Sequence, residues 1–305
     1  MQENILSVDK VTKNYGNHTV LDEISFSLKK GEIVGLVGPN GSGKTTLMSI
    51  IVGLTRNYKG NVLFNRENIK TIKNLKKRNI GCVIETPGFY PDLTGYENLK
   101  FFSQVFGNIH NEEIDEIINM LGLDNSKNKK VKKYSLGMKQ RLGIAQAVLG
   151  YPNLVILDEP TNGLDPNIIP NIRQFIKKVA HEKDIAFFIS SHVLTEIEAI
   201  CDKVLLIKNG KLIDELFINS DTKKESDMFI LETNNVNELQ NFLNTISIDS
   251  IVEDNEKVMV ELSESGLQQL LTQIIQNGIA IKAVYKQKTS LEEKFLKSIG
   301  ENVIE

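Results

Sequence analysis

The stretch Gly38-Pro39-Asn40-Gly41-Ser42-Gly43-Lys44-Thr45 decides the fold, because it fits the pattern G-x-x-x-x-G-K-[ST] at every fixed position. Residues 32–37 before it form an apolar run typical of a strand buried on both faces, and residues 46–52 after it predict a helix that Gly53 ends. Glycines let the backbone curl so that successive N–H groups face phosphate oxygens, and the helix N-terminus favours the same negative charge. The stretch therefore predicts a phosphate-binding loop (P-loop), in which the quoted residues and Thr46 contact ATP.

Lys44 and Thr45 have separate tasks in such a loop. The ammonium of Lys44 is expected to reach the β- and γ-phosphates, and the hydroxyl of Thr45 to bind Mg²⁺. A second metal ligand is expected from Asp158, which ends the apolar run of residues 154–157, since open α/β sheets bind ligands at the carboxyl ends of their strands. Glu159 follows at once and is placed to polarise the attacking water, although in isolation such a glutamate would be interpreted as a solvated residue.

His192 follows a third apolar run, residues 185–189, and the pair Ser190-Ser191. At the end of a neighbouring strand of the same sheet, its imidazole would reach the γ-phosphate. Taken alone, a histidine at such a position is more often an ordinary surface or core residue. Next to a P-loop, we predict Glu159 and His192 as the catalytic residues.

The composition of the 305-residue chain is that of an ordinary globular protein, with 41% hydrophobic residues, 25% charged residues and a net charge of -3. A general nucleic-acid binder would usually be strongly basic, so we expect no nucleic-acid partner. Cys82 and Cys201 lie far apart in sequence, which argues against a disulfide framework or a zinc site and suits a reducing cytosol. No apolar run approaches the ~18 residues needed to cross a bilayer, and the N-terminus has no basic segment. We expect a cytoplasmic protein that reaches a membrane only through a partner.

Two domains are predicted along the chain. Residues 1–219 alternate short apolar runs with helical segments, which predicts an α/β domain with a parallel-rich sheet, and residues 93–150 within it would form a helical subdomain. The polar residues 220–227 mark a boundary. Residues 220–305 then show the order β-α-β-β-α-β of a small α+β, ferredoxin-like domain, with a last helix over residues 291–299. This domain shows no catalytic constellation, and dimer contact is favoured as its role over regulation or effector binding.

With three further motifs, residues 1–219 resemble the nucleotide-binding subunit of an ABC transporter. Tyr15, ahead of the first strand pair, stands where that family stacks an aromatic ring on adenine. Residues 134–141 (YSLGMKQR) resemble the ABC signature, and Asn162-Gly163-Leu164-Asp165 resembles the D-loop. These motifs occur in the order in which the family has them.

The resemblance implies an ATPase that uses ATP and Mg²⁺ and works with separate membrane-spanning permease subunits. It also implies that two ATPase subunits, identical or paralogous, dimerise head to tail. In such a dimer ATP lies between the P-loop of one subunit and Ser135, Gly137 and Asp165 of the other. Glu159 and His192 correspond to the catalytic glutamate and the switch histidine of the family.

Glu85 departs from the family pattern. The family usually has a glutamine on Mg²⁺ after the strand that residues 80–84 predict, so Glu85 adds a carboxylate beside the metal. Glutamate at this position resembles the ATPases of lantibiotic self-protection (immunity) transporters, and the SLGMKQ signature with a short C-terminal domain resembles the bacitracin-resistance group. We therefore predict export of an antimicrobial peptide from the membrane. An exporter of other drugs, lipids or polysaccharides is the alternative, and a soluble non-transport ABC ATPase is a remote one.

An aromatic-rich segment follows Glu85. Phe89, Tyr90 and Tyr96 lie in the region where the family meets the coupling helix of the permease, so they either fill that interface or pack inside the helical subdomain. The lysine-rich residues 125–133 predict a solvated loop, with attraction to an anionic membrane surface or a nucleotide as the weaker interpretation.

Overall fold

The computed structural model describes residues 3–72, 79–106, 109–218 and 227–286. These residues form two compact units, which divide between residues 219 and 220. Within the described ranges, every helix is too short or too polar to span a bilayer. The first unit contains, in chain order, β1 (Asn4–Tyr15), β2 (His18–Lys29), β3 (Ile33–Val37), α1 (Lys44–Ile51), β4 (Lys59–Phe64), β5 (Glu67–Asn68), β6 (Ile80–Val83), α2 (Gly95–Phe106), α3 (Asn111–Met120), α4 (Leu136–Val148), β7 (Leu154–Asp158), α5 (Ile169–Lys183), β8 (Ala186–Ser191), α6 (Leu194–Ile200), β9 (Lys203–Lys208) and β10 (Lys211–Phe217).

A six-stranded sheet forms the centre of the first unit, in the order β10-β9-β3-β8-β7-β6. Every neighbouring pair is parallel except β9 with β10. β3, β7 and β8 are buried along their whole length, which explains why their sequences are continuous apolar runs. The predicted α/β fold with a parallel-rich sheet is confirmed. The carboxyl ends of these three strands share one edge of the sheet, where a ligand can bind.

A four-stranded antiparallel sheet, in the order β2-β1-β4-β5, packs against the central sheet. Phe26 of β2 stacks on Phe188 of β8, with ring centroids 5.3 Å apart. Both rings belong to one hydrophobic core, to which α1 adds the fully buried Leu47 and Met48. The helix that follows the P-loop is therefore anchored through this shared core.

Tyr15 does not lie ahead of the first strand pair as expected. It is the last residue of β1 and pairs with His18 of β2 at the end of a hairpin. Lys10 has a φ of +45°, and the register with β2 shifts after Val8 and Val11. These irregularities let β1 continue through a polar stretch that lacks the simple alternation of a strand.

Three helices, α2, α3 and α4, lie within the residues predicted as a helical subdomain. The sequence predicts a helix over residues 112–121 from isoleucines at helical spacing, and α3 buries these isoleucines. It also predicts a helix over residues 137–149, and α4 begins one residue earlier, at Leu136. The earlier start is explained by Ser135, which is the N-cap of α4: its Oγ accepts a hydrogen bond of 3.2 Å from the N–H of Met138.

The second unit has the predicted order β-α-β-β-α-β. Its sheet is antiparallel throughout, in the order β12-β13-β11-β14, and the two helices share one hydrophobic core with one face of that sheet. This strand order is that of a ferredoxin-like fold. The elements are β11 (Asp227–Glu232), α7 (Val236–Thr245), β12 (Ser250–Val252), β13 (Lys257–Leu262), α8 (Glu264–Gln276) and β14 (Ala283–Lys286).

The last strand of this unit begins later than the sequence indicated. We expected a strand over residues 279–284, whereas β14 begins at Ala283. Gly278 has a φ of +71°, and the N–H of Ile279 donates to the carbonyl of Ile274, so Ile279 closes the end of α8 and is buried there. The helix predicted over residues 291–299 lies outside the described residues.

Candidate nucleotide-binding site

The P-loop packs tightly at two of its glycines. A Cβ on Gly38 would lie 2.1 Å from the carbonyl oxygen of Ile207, so no larger residue fits there. Gly43 has a φ of +105° and is the N-cap of α1, without a side-chain hydrogen bond to close the helix. The first N–H groups of α1 therefore point out of the helix end without intrahelical partners, as an anion requires. The Oγ of Ser42 is buried and has no hydrogen-bond partner among the described residues, as expected of a group that awaits a ligand.

Lys44 lies within this loop and is only 7% exposed. Its Nζ donates to the carbonyl oxygens of Gly38, at 2.8 Å, and Pro39, at 3.2 Å. Burial lowers the pKa of Lys44 below its ordinary value, while the negative charges of Glu159 and Asp158 act in the opposite direction. The two carbonyl oxygens hold the ammonium in place but carry only partial negative charge. A bound phosphate would supply a fully charged partner.

Asp158 stands at the carboxyl end of β7 and is largely buried. Its Oδ2 accepts a hydrogen bond of 2.9 Å from the Oγ1 of Thr45, and its Oδ1 accepts one from the Oγ of Ser190. The structure thus brings together two of the three predicted metal ligands, Thr45 from α1 and Asp158 from β7. Hydroxyl and carboxylate oxygens are the hard ligands that Mg²⁺ prefers, so these residues fit the ion.

Glu159 is held at the mouth of the site by contacts of both its backbone and its side chain. Its N–H donates to the Oγ of Ser190, at 2.9 Å, in a backbone conformation with a φ of +48°. Its Oε2 lies 2.9 Å from the Nδ1 of His192 and 3.3 Å from the Nδ2 of Asn162, and its carbonyl contacts Gln140. The sequence predicted Glu159 and His192 as catalytic residues with separate tasks, and the structure places their side chains in hydrogen-bond contact. Asn162 was quoted only as part of the D-loop.

A cavity of about 540 Å³ lies over the P-loop, and Asp158 and Glu159 are among the residues that line it. Glu85, which follows β6 and has a φ of +61°, also lines this cavity. Several of the lining residues were not predicted to contact the nucleotide. Of these, Asn162, Gly163, Leu136 and Gln140 lie inside motifs that were recognised, whereas Val20 and Thr86 had no signal. The cavity is lined by Val20, Asn40, Gly41, Gly43, Lys44, Thr45, Thr46, Glu85, Thr86, Leu136, Gln140, Asp158, Glu159, Asn162 and Gly163.

Seven predicted nucleotide contacts lie outside this lining: Gly38, Pro39 and Ser42 of the P-loop, and the four predicted contacts that lie elsewhere in the sequence. Tyr15 is 53% exposed at the hairpin end. Ser135 and Gly137 lie at the start of α4, whose first residue Leu136 is 61% exposed. Asp165 is exposed and accepts hydrogen bonds from the backbone and side chain of Asn167. A single subunit therefore surrounds the phosphate end of the site. Parts of the signature and D-loop line the cavity, while Ser135, Gly137 and Asp165 lie outside its lining.

Comparison with known proteins gives the following similarities. The family model described as "ABC transporter" matches residues 21–162. The bacitracin transport ATP-binding protein BcrA of Bacillus licheniformis is 37% identical over 98% of this chain and 99% of that protein. The lantibiotic transport ATP-binding protein SrtF of Streptococcus pyogenes is 39% identical over 69% of this chain and 90% of that protein. A solved dimer of the ATP-binding cassette MJ0796, bound to ADP and phosphate, has a TM-score of 0.66 at 25% identity, over 70% of this chain and 99% of that one.

Proposed function

Since the chain belongs to the family of ABC transporter ATP-binding proteins and is an ATPase, we propose that it powers the export of an antimicrobial peptide of the bacitracin or lantibiotic class. The observation that carries the ATPase is the cluster of Lys44, Asp158 and Glu159 around one cavity. The observation that carries the cargo is similarity over nearly the whole chain to a bacitracin transport protein. Export of another drug, a lipid or a polysaccharide is the second candidate.

In the proposed reaction, Lys44 and the free N–H groups at the start of α1 orient the β- and γ-phosphates. Glu159 accepts the proton of the attacking water. A new bond then forms from the water oxygen to the γ-phosphorus, while the bond from that phosphorus to the bridging oxygen breaks. ADP and inorganic phosphate are the products. His192 holds the carboxylate of Glu159 through the 2.9 Å contact, and from there it would reach the γ-phosphate.

Thr45, Asp158 and Glu85 would hold Mg²⁺. Thr45 and Asp158 already share a hydrogen bond, so both side chains lie where they could help to hold one ion. When bound, Mg²⁺ would neutralise charge on the phosphate oxygens. Glu85 adds a negative charge that the glutamine usual in the family lacks, which supports the lantibiotic and bacitracin assignment.

The signature and D-loop residues would complete the site of a second subunit. Ser135 caps α4, and the exposed start of that helix offers N–H groups to a γ-phosphate across an interface. Ser135, Gly137 and Asp165 of one copy would then face the P-loop of another copy or of a paralogue. The dimeric state of the related cassette supports this arrangement. The boundary at residue 219 would separate this ATPase domain from an accessory domain, whose proposed role is dimer contact.

An exposed aromatic cluster offers a surface for the permease. Tyr90 packs edge-on against Phe101, with ring centroids 4.9 Å apart, and Phe101 in turn packs edge-on against Phe102 at 5.7 Å. Tyr90 and Phe101 are 48% and 42% exposed, so the rings contact each other and still face solvent. Tyr96 is half-buried beside the ammonium of Lys127, which favours internal packing for that residue. Binding there would attach the subunit to the cytoplasmic face of the membrane.

The test uses cells that carry the chain with its permease subunits. Growth is measured across a series of lantibiotics, bacitracin and unrelated drugs, for the wild type and for Lys44→Ala. Lys59→Ala, a change at an exposed lysine outside the cavity, is the matched control. We expect Lys44→Ala alone to lose tolerance to one peptide class. Equal tolerance of all three strains to every peptide would contradict the proposed cargo.

A further inference from the structure

Lys13 is a buried cation outside the catalytic cluster. It is 5% exposed, and its Nζ donates a hydrogen bond of 2.8 Å to the backbone carbonyl of Asn57. Among the described residues this ammonium forms no ion pair, whereas the equally buried Lys203 is paired with Glu32 and Glu215. Burying a lysine without a carboxylate partner costs free energy, so a further contact is needed to stabilise this ammonium.

That other contact is the ring of Tyr15, whose centroid lies 4.3 Å from the Nζ of Lys13. The distance is that of a cation–π interaction, in which the ammonium covers one face of the ring. Tyr15 is nevertheless 53% exposed, so its remaining surface is open to solvent. The next strand of the hairpin carries Val20, which lines the nucleotide cavity. Tyr15 therefore belongs to the hairpin that borders the cavity, and its ring is supported by Lys13 on one side.

We propose that Lys13 is a positioning residue for the nucleotide base, because its ammonium fixes the Tyr15 ring with one face left for a purine to stack on. This inference rests on the proposed stacking of adenine on Tyr15. An exposed aromatic side chain must give up rotational freedom when a base binds it. A ring already held by a cation loses less of that freedom, which strengthens binding of the base without any contact between Lys13 and the ligand.

The experiment measures dissociation constants of the full chain by calorimetry, for ATP without Mg²⁺ and for inorganic tripolyphosphate, which has no base. The variants are Lys13→Met, Tyr15→Ala and the double variant. We expect Lys13→Met to weaken ATP binding by roughly threefold to tenfold, the range of a partly desolvated cation–π contact, and to leave tripolyphosphate binding unchanged. In the Tyr15→Ala background, Lys13→Met should have no further effect on ATP.

Two conservative variants separate the charge from the hydrogen bond. Lys13→Arg keeps a cation over the ring and should bind ATP like the wild type, while Lys13→Gln keeps a donor for Asn57 and should behave like Lys13→Met. If Lys13→Met fails to fold, Lys13→Gln replaces it as the variant that lacks the charge. Equal losses for ATP and tripolyphosphate, or additive losses in the double variant, would overturn the inference. If Tyr15→Ala leaves ATP binding intact, both the stacking of adenine on Tyr15 and the role of Lys13 are wrong. The ATPase assignment is tested separately, by ATP hydrolysis of the wild type.

Discussion

The substitution Glu159→Gln tests the assignment of the base with the least change in shape. The amide keeps the size of the side chain and can still meet His192 and Asn162, which lie 2.9 and 3.3 Å from Oε2. It cannot accept the proton of the attacking water. A positioned general base contributes about 10²- to 10⁴-fold to a rate, which corresponds to about 2.7–5.4 kcal/mol of barrier height. We expect turnover to fall within that range.

Binding of ATP should change in the opposite direction. The carboxylate of Glu159 lies close enough to Lys44 to act on its pKa, so it also repels a γ-phosphate bound by that lysine. Removing this negative charge should tighten ATP binding while turnover falls. Phosphate release in the steady state and calorimetry with ATP measure the two effects on the same protein. A variant that retains more than about a tenth of the wild-type rate would refute the role of Glu159 as the base.

His192→Ala provides the matched comparison, because His192 is 52% exposed and its contact is with the same Oε2 atom. If the two residues act as a unit, the histidine substitution should cost less in the Glu159→Gln background than in the wild type. Full additivity of the two losses would show that His192 does not act through Glu159.

Three further changes follow from the same geometry. Gly38→Ala should abolish ATP binding and lower Tm, because the new Cβ would lie 2.1 Å from a backbone carbonyl; normal affinity in calorimetry would contradict the described loop. Asn162→Ala should lower kcat about twofold to tenfold at unchanged ATP affinity, because it removes one of two contacts to the Oε2 of Glu159. Asn167 is the control, because its amide contacts Asp165 and not Glu159, so Asn167→Ala should not lower kcat. Equal losses of kcat in the two variants would contradict a positioning role for Asn162. Glu85→Gln should leave ATP hydrolysis by the isolated subunit intact and lower peptide tolerance in cells. Unchanged tolerance would contradict a role of Glu85 in coupling hydrolysis to export.

The parts of the site that the sequence predicted are those fixed by backbone geometry. The P-loop requires glycine where Gly38 meets a carbonyl and where Gly43 has a positive φ, so its spacing can be recognised in any sequence. Asp158 and His192 were predicted because buried parallel strands appear as continuous apolar runs, and their carboxyl ends share one edge. Local rules therefore placed the phosphate end of the site.

The parts that could not be predicted depend on contacts between distant segments. Val20 lines the cavity because β2 passes over Gly43, a proximity that no local pattern encodes. Tyr15 was placed ahead of a strand pair because the irregular register of β1 hides its length. Ile279 was assigned to a strand, whereas it closes a helix, because a single isoleucine after glycine fits either role.

The charges around the cavity support the proposal that a second subunit completes the site. Glu85, Asp158 and Glu159 all line it, while Lys44 is the one cationic side chain among the described lining residues. A triphosphate adds further negative charge, so the loop N–H groups and a single ammonium face an excess of anions. Mg²⁺ and the helix N-terminus of a second subunit are the proposed sources of the missing positive potential. Because Glu85 enlarges that excess, ATP binding by this chain should depend more steeply on Mg²⁺ and on dimerisation than binding by a subunit with glutamine at the same position.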